Sequence, residues 1–94
     1  MYRTIYEQLS PGQKARYQIK FKGVLSSSLN HLKQRFRVSS EVFDAEHPVT
    51  MLTGDINGQP ELLSIFTELV NAGHAIISMT CIAVIHEDDT LANV

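Results

Sequence analysis

The chain has 94 residues, of which 44% are hydrophobic and 19% are charged, and its formal net charge is −2. This length fits one domain, the composition excludes an intrinsically disordered chain, and the near-neutral charge gives no overall attraction to nucleic acid or to an anionic membrane. A single cysteine excludes an internal disulfide, and no apolar stretch is long enough to span a bilayer, so we expect a cytoplasmic protein without membrane attachment.

Residues 1–12 predict a short N-terminal helical arm. Its apolar residues, Tyr2, Ile5, Tyr6 and Leu9, recur at the spacing of one helix face, and a Ser-Pro-Gly sequence ends the pattern. Two interpretations stay open. The arm docks on its own domain, or it binds a partner or a second copy of the chain.

Strict alternation from Ala15 to Lys22 predicts a half-buried strand. The residues expected on its core side are Tyr17, Ile19 and Phe21. The residues expected on its exposed side, a candidate surface for a protein partner, are Gln18, Lys20 and Lys22. If the two faces were reversed, the aromatic residues would instead form a platform on which nucleic-acid bases stack.

An amphipathic helix is predicted from Leu25 to Phe36, because apolar residues recur along one of its faces. Serines at its start are expected to cap the free amides of the first turn. With the preceding glycine they also form a candidate ligand or anion site, made of Gly23, Ser26, Ser27 and Ser28. Simple capping also explains the serines and is the interpretation we favour.

Two further strands are predicted. The segment Val38–Phe43 is more polar and is expected at an edge of the sheet, whereas Val49–Ile56 is rich in β-branched residues. Gly54 lies inside the latter strand, which indicates either a bulge or a close approach of a helix.

A second helix is predicted to have Pro60 at its first position and to end at Gly73. The last strand, Ala75–Ile85, is apolar on both faces over much of its length, so we expect it to be well covered. Residues 86–94 are acidic and polar and are expected to form a flexible tail.

The predicted order of elements is a short helix followed by βαββαβ. Right-handed crossovers then give one antiparallel sheet with the first and third strands at its centre and with helices on one face. We therefore predict a single α+β domain over residues 15–85 with the ferredoxin-like arrangement.

Several residues also form a pattern: Tyr17-x-Ile19, Gly23-x-Leu25, Phe36, Thr50-x-Leu52-Thr53-Gly54, Gln59, Leu62, Leu69, Gly73 and Ile76-Ile77-Ser78. This pattern resembles a family of small uncharacterised bacterial proteins whose second half reads T-x-L-T-G, D-Q-x-x-L, L-x-x-L-G and L-L-S-V. The resemblance covers residues 17–82 and departs at Gly58, where the family has an acidic residue. It implies the ferredoxin-like fold and no established activity. A weaker similarity to ACT domains, at Gly23-Val24-Leu25, implies a domain that senses small molecules.

No catalytic motif is apparent. The four histidines lack the i, i+4 spacing of a helical zinc site, and Cys81 lies among apolar residues, where a buried thiol is inert. Asp55 and Glu61 are interpreted as solvated charges. We therefore expect no enzyme activity, no cofactor and no metal.

Three functions remain. We favour a non-catalytic protein-interaction or regulatory module that is a homodimer or binds another protein. The alternatives are an ACT-like small-molecule sensor and a weak nucleic-acid binder. The last alternative depends on a locally basic first third, which contains Arg16, Lys20, Lys22, Lys33, Arg35 and Arg37.

Overall fold

A computed structural model describes residues 5–42 and 46–86. The chain is a small α+β domain. Its elements are α1 (Ile5–Gln8), β1 (Ala15–Lys22), a 3₁₀ turn (Ser27–Leu29), α2 (Leu32–Arg35), β2 (Arg37–Val42), β3 (Pro48–Ile56), α3 (Gln59–Asn71) and β4 (Ile76–Val84).

The four strands form one sheet in the order β2-β3-β1-β4, and all neighbouring strands are antiparallel. The prediction that β1 and β3 are central is therefore confirmed, as is the prediction that β2 lies at an edge. Of the predicted N-terminal helix, residues 5–8 form one helical turn, and residues 1–4 lie outside the described residues. The predicted acidic tail also lies outside them, apart from its first residue.

The predicted alternation of β1 is confirmed. Tyr17, Ile19 and Phe21 are at most 4% exposed, and the register of the sheet places them beside the buried face of β3. The buried core of the domain includes Leu52 and Ile56 from β3 and Ile65 and Leu69 from α3. The side chains between these β1 residues therefore lie on the opposite face of the sheet. We call it the open face.

The helix predicted from Leu25 to Phe36 is interrupted, which corrects the sequence interpretation. A 3₁₀ turn and the four-residue α2 replace it, and several of their backbone hydrogen bonds join residues three apart. Consecutive serines compete with the backbone for hydrogen bonds and disfavour a regular helix. The predicted side-chain cap is also absent, because the Ser26 hydroxyl contacts the Ser28 hydroxyl at 3.0 Å instead.

Gly54 marks a close approach of a side chain and not a bulge. The register between β1 and β3 runs without a shift through the pair Tyr17 and Gly54. A Cβ atom at Gly54 would lie 2.9 Å from Cε1 of Phe36, the residue that follows α2. The glycine therefore leaves room for an aromatic ring that closes the core at the start of β2.

The second predicted helix is confirmed as α3. Pro60 lies in its first turn, and Gly73 follows its C-terminal end with a φ of 92°. The prediction for the last strand is wrong. β4 is an edge strand, and it is not well covered, because Ile77 and Ile82 are 52% and 42% exposed. Two register shifts against β1 leave these two isoleucines without a paired position.

Candidate functional site

The predicted partner residues of β1 lie on the open face. Gln18 lies between Thr53 of β3 and Thr80 of β4 in the sheet register. The ammonium group of Lys20 lies 3.7 Å from a carboxylate oxygen of Glu41, and Lys22 is exposed. This face is therefore polar and partly ion-paired, which is typical of a solvated surface. Because Tyr17 and Phe21 are buried, it has no aromatic platform on β1.

The loop of the predicted ligand site is occupied by a side chain of the protein itself. The amide of Ser26 donates a hydrogen bond to Nε2 of His74 at 3.2 Å, and Nδ1 of the same ring lies 3.1 Å from the carbonyl oxygen of Lys22. An acceptor at Nε2 requires the proton to be on Nδ1, so the neutral ring joins the two ends of this loop. The hydroxyl of Thr50 donates to the carbonyl of Gly23 at 2.6 Å.

His74 therefore takes the Ser26 amide that an anion bound to this loop would need. Its ring also packs against Phe21, with 4.6 Å between the ring centres. Along the chain His74 follows Gly73 at the end of α3, and its neighbours in the sequence do not indicate this contact. The sheet register explains its actual role, because it brings the segment before β4 next to the end of β1.

A depression in the surface lies at the start of β2. It has a volume of about 450 Å³ and is lined by Arg16, Arg35, Arg37, Thr53, Gly54 and Asp55. We call it the arginine pocket. Its residues come from four elements or their ends: β1, α2, β2 and β3. Sequence reasoning placed the three arginines in one basic segment but had no means of bringing them together.

The acidic residues near this pocket are paired, which corrects their interpretation as solvated charges. Nε of Arg16 donates to a carboxylate oxygen of Asp55 at 2.8 Å, and this hydrogen bond raises the pKa of Arg16. The guanidinium of Arg35 donates to Glu61 on α3. That hydrogen bond lowers the pKa of Glu61 below its ordinary value of 4.5, against an opposing effect of partial burial.

The exposed apolar residues of the described part of the chain are concentrated in α3 and β4. Six large hydrophobic residues are exposed in the described part of the chain, and four of them belong to α3 or β4. We call these four the β4 margin: Leu63, Val70, Ile77 and Ile82. β4 itself has no charged residue. Cys81 is only half-buried there, which corrects the expectation of a buried thiol, and it packs against the core.

Contacts between α3 and the α2 segment show where the exposed apolar residues of α3 lie. Glu61 and Glu68 contact Arg35 and His31, so this flank of α3 faces the segment that contains α2. Leu63 and Val70 each follow one of these glutamates by two residues, which is about 200° around a helix axis. They therefore lie on the flank of α3 that is turned away from the α2 segment, where Leu63 and Val70 are exposed.

The N-terminal segment also reaches β4. Residues of α1 contact β4, and the side chain of Gln8 lies 2.7 Å from Nε2 of His86. Leu9 is partly buried and packs against the hydrophobic core. Leu9 thus contacts its own domain, whereas Tyr2 lies outside the described residues.

No group of three or more histidine, cysteine or acidic side chains in residues 5–42 and 46–86 is arranged to hold a metal ion. No helix in this part of the chain has the length and the apolar character needed to cross a bilayer. In comparisons with known proteins, no family model, no curated protein and no solved structure matched the chain.

Proposed function

We propose that the protein is a non-catalytic interaction or regulatory module that acts as a homodimer, and that the two copies meet along β4. The observation that carries this proposal is the character of that edge. β4 is nine residues long, has no charged residue and exposes Ile77 and Ile82. Natural edge strands are usually protected by a charge, a proline or a bulge, and β4 has register shifts but neither a charge nor a proline.

A second copy of the chain is the partner that fits this edge. Two identical strands related by a two-fold axis pair in antiparallel orientation, so the same edge serves both subunits. Because β4 carries no charge, such a pairing brings no like charges together. It would join two four-stranded sheets into one and cover the β4 margin. A small domain also gains relative stability from the added burial.

The same proposal includes the detailed fold, the family and the location of the protein. We propose the ferredoxin-like βαββαβ arrangement, which the strand order β2-β3-β1-β4 supports. We further propose membership of the family of small bacterial proteins that the sequence pattern resembles, and a cytoplasmic location. The N-terminal arm is proposed to help shield one end of β4, which its contacts with that strand support.

The test is the oligomeric state of the full chain, measured by light scattering after size-exclusion chromatography and by native mass spectrometry. We expect a dimer. The double variant Ile77→Lys with Ile82→Lys places charges on both copies at the shared edge and should weaken the dimer by about tenfold or more. The matched control, Ser39→Lys with Ser40→Lys, adds the same charge to exposed positions of β2 and should leave the dimer intact.

Circular dichroism must show that both double variants are folded. A wild-type chain that stays monomeric at the highest attainable concentration would contradict the homodimer. A control that dissociates as readily as the β4 variant would contradict the assignment of the interface to β4. Extra mass bound to each chain in the native spectrum would favour the ligand-sensing alternative.

The two alternatives have less support. Ligand sensing at Gly23, Ser26, Ser27 and Ser28 would require a ligand to displace His74 or to bind beside it. Nucleic-acid binding would lack base stacking on β1, because its aromatic side chains are in the core.

A further inference from the structure

We propose that the arginine pocket binds the phosphate group of a small phosphate monoester. Three arginines line this depression of about 450 Å³, together with Thr53, Gly54 and a single acidic residue, Asp55. A pocket of this size matches the volumes of small-molecule sites, which run from about 300 to 1,000 Å³. The pocket shares no residue with the β4 margin, so a test of phosphate binding is independent of the test of the homodimer.

Two of the three arginines are held in place by acidic residues of the protein itself. Arg16 uses its Nε to bind Asp55 at 2.8 Å, which leaves its terminal nitrogens available. Arg35 binds Glu61, and its guanidinium carbon lies 5.2 Å from the ring centre of Phe36. An arginine that is already fixed loses less conformational freedom when it binds an anion.

The third arginine has no such partner. Among residues 5–42 and 46–86, Arg37 forms no ion pair, although it lies beside Thr53 in the register of β2 and β3. Its planar guanidinium can therefore bind an anion through two parallel hydrogen bonds. The hydroxyl of Thr53 provides a further donor at the same position in the sheet.

The charge of the pocket selects the class of ligand. Its lining holds three arginines and one carboxylate, and Glu61 pairs with Arg35 beside it, so one positive charge remains in excess in a protein whose formal net charge is −2. A phosphate monoester is anionic at neutral pH and offers three acceptor oxygens to these arginines. A carboxylate offers only two acceptor oxygens.

A small molecule fits this pocket better than a nucleic acid. RNA-binding sheets combine basic groups with exposed aromatic side chains that stack on bases. Here Tyr17 and Phe21 are 4% and 0% exposed, on the face of the sheet opposite to Arg16. The pocket thus offers recognition of phosphate without recognition of bases.

The experiment is an NMR titration of the full-length, ¹⁵N-labelled chain with glycerol 3-phosphate, with inorganic phosphate, and with sodium chloride at matched ionic strength. We expect saturable shifts at the amides of Thr53, Gly54 and Asp55 and at the side-chain Nε–H groups of the three arginines. Arg37→Gln should weaken the binding of glycerol 3-phosphate by about tenfold, the usual effect of losing a charge-assisted hydrogen bond. Arg37→Lys keeps the positive charge but cannot form the two parallel hydrogen bonds of a guanidinium, so its loss of affinity should be smaller than that of Arg37→Gln.

The matched control is Lys22→Gln, which removes the same charge from an exposed residue at the other end of β1. Its affinity should stay within about twofold of the wild type, because surface charges at a distance are screened. Non-saturable shifts, equal shifts with chloride, or wild-type affinity in folded Arg37→Gln would overturn the proposal. Tighter binding of a single-stranded oligonucleotide than of glycerol 3-phosphate, with a steep dependence on salt, would overturn it in favour of a nucleic-acid site.

Discussion

The two edges of the sheet differ in a way that bears on function. β2 carries Arg37 and Glu41, and Glu41 is in turn within 3.7 Å of Lys20 on β1. β4 carries no charge and exposes two isoleucines. Charged edge strands resist pairing with other chains, whereas uncharged apolar edges favour it. One sheet therefore has a charged, partly ion-paired edge at β2 and an uncharged, apolar edge at β4.

Each edge is also joined to the core by its own contact. At the start of β2, the ring of Phe36 fills the space that the missing side chain of Gly54 leaves. Before β4, the ring of His74 joins the ends of the loop that follows β1. Substitutions at these contacts should therefore disturb one edge and spare the other.

The largest effect is expected for Gly54→Ala. The new methyl group would overlap the ring of Phe36, and both Gly54 and Phe36 lie in a packed region. Overpacking of this kind costs about 1–3 kcal/mol, so the free energy of unfolding in urea should fall by that amount. Self-association through β4 should persist in this variant, because the disturbed contact lies at the other edge.

The matched control is Gly12→Ala, since a Cβ atom at Gly12 would meet nothing within 4 Å. Its free energy of unfolding should change by no more than about 0.5 kcal/mol. Equal losses in the two variants would show that the contact between Gly54 and Phe36 does not hold the β2 edge in place.

The sequence predicts only part of the contact between Gly54 and Phe36. A glycine inside a β-branched strand indicates a close approach, but its partner depends on where α2 ends. The helix prediction failed at that point, because a 3₁₀ turn keeps Leu29 and Leu32 buried without a regular α-helix. Alternation predicted the faces of β1 well, because its period is the period of the backbone itself.

The next effect in size is expected for His74→Phe. The new ring keeps the aromatic contact with Phe21 but removes the hydrogen bonds with Ser26 and Lys22. The loss should be about 1–2 kcal/mol of unfolding free energy, because each lost partner leaves a backbone group that water only partly satisfies. The substitution should loosen the loop that His74 joins to the segment before β4, so hydrogen exchange should accelerate at the Ser26 amide.

His31→Phe is the control for this change, because His31 is exposed and its contact is with Glu68. An exposed pair of this kind contributes about 0.5 kcal/mol or less. If His31→Phe lowers stability as much as His74→Phe, the loop after β1 is not held by the His74 ring.

The candidate sites were less accessible from the sequence than the fold. Arg16 and Asp55 are neighbours because of the register between β1 and β3, and Arg37 joins them through the register between β2 and β3. Neither register can be derived from spacing along the chain. β4 misled the prediction for a related reason, because an apolar strand has the same composition whether its own domain covers it or a partner does.

The smallest effect concerns the ion pair beside the arginine pocket, at the β2 edge. The pKa of Glu61 is lowered in the folded protein, so its carboxylate contributes stability above its ordinary value of 4.5 and loses it as the pH falls through the lower folded value. Glu61→Gln should therefore cost about 0.5–1 kcal/mol at pH 7, a modest value because both partners are partly exposed. In acid the wild type and the variant should converge.

Urea unfolding of both proteins across this pH range measures the effect. Glu68→Gln is the matched control, because Glu68 lies on the same helix and its contact with His31 is exposed on both sides, so it contributes little to stability. A penalty for Glu61→Gln that persists unchanged in acid would assign the loss to packing and not to charge. A penalty that fades below pH 4.5 would show that Glu61 holds Arg35 electrostatically, and hence that one of the three arginines in the pocket is positioned before any ligand arrives.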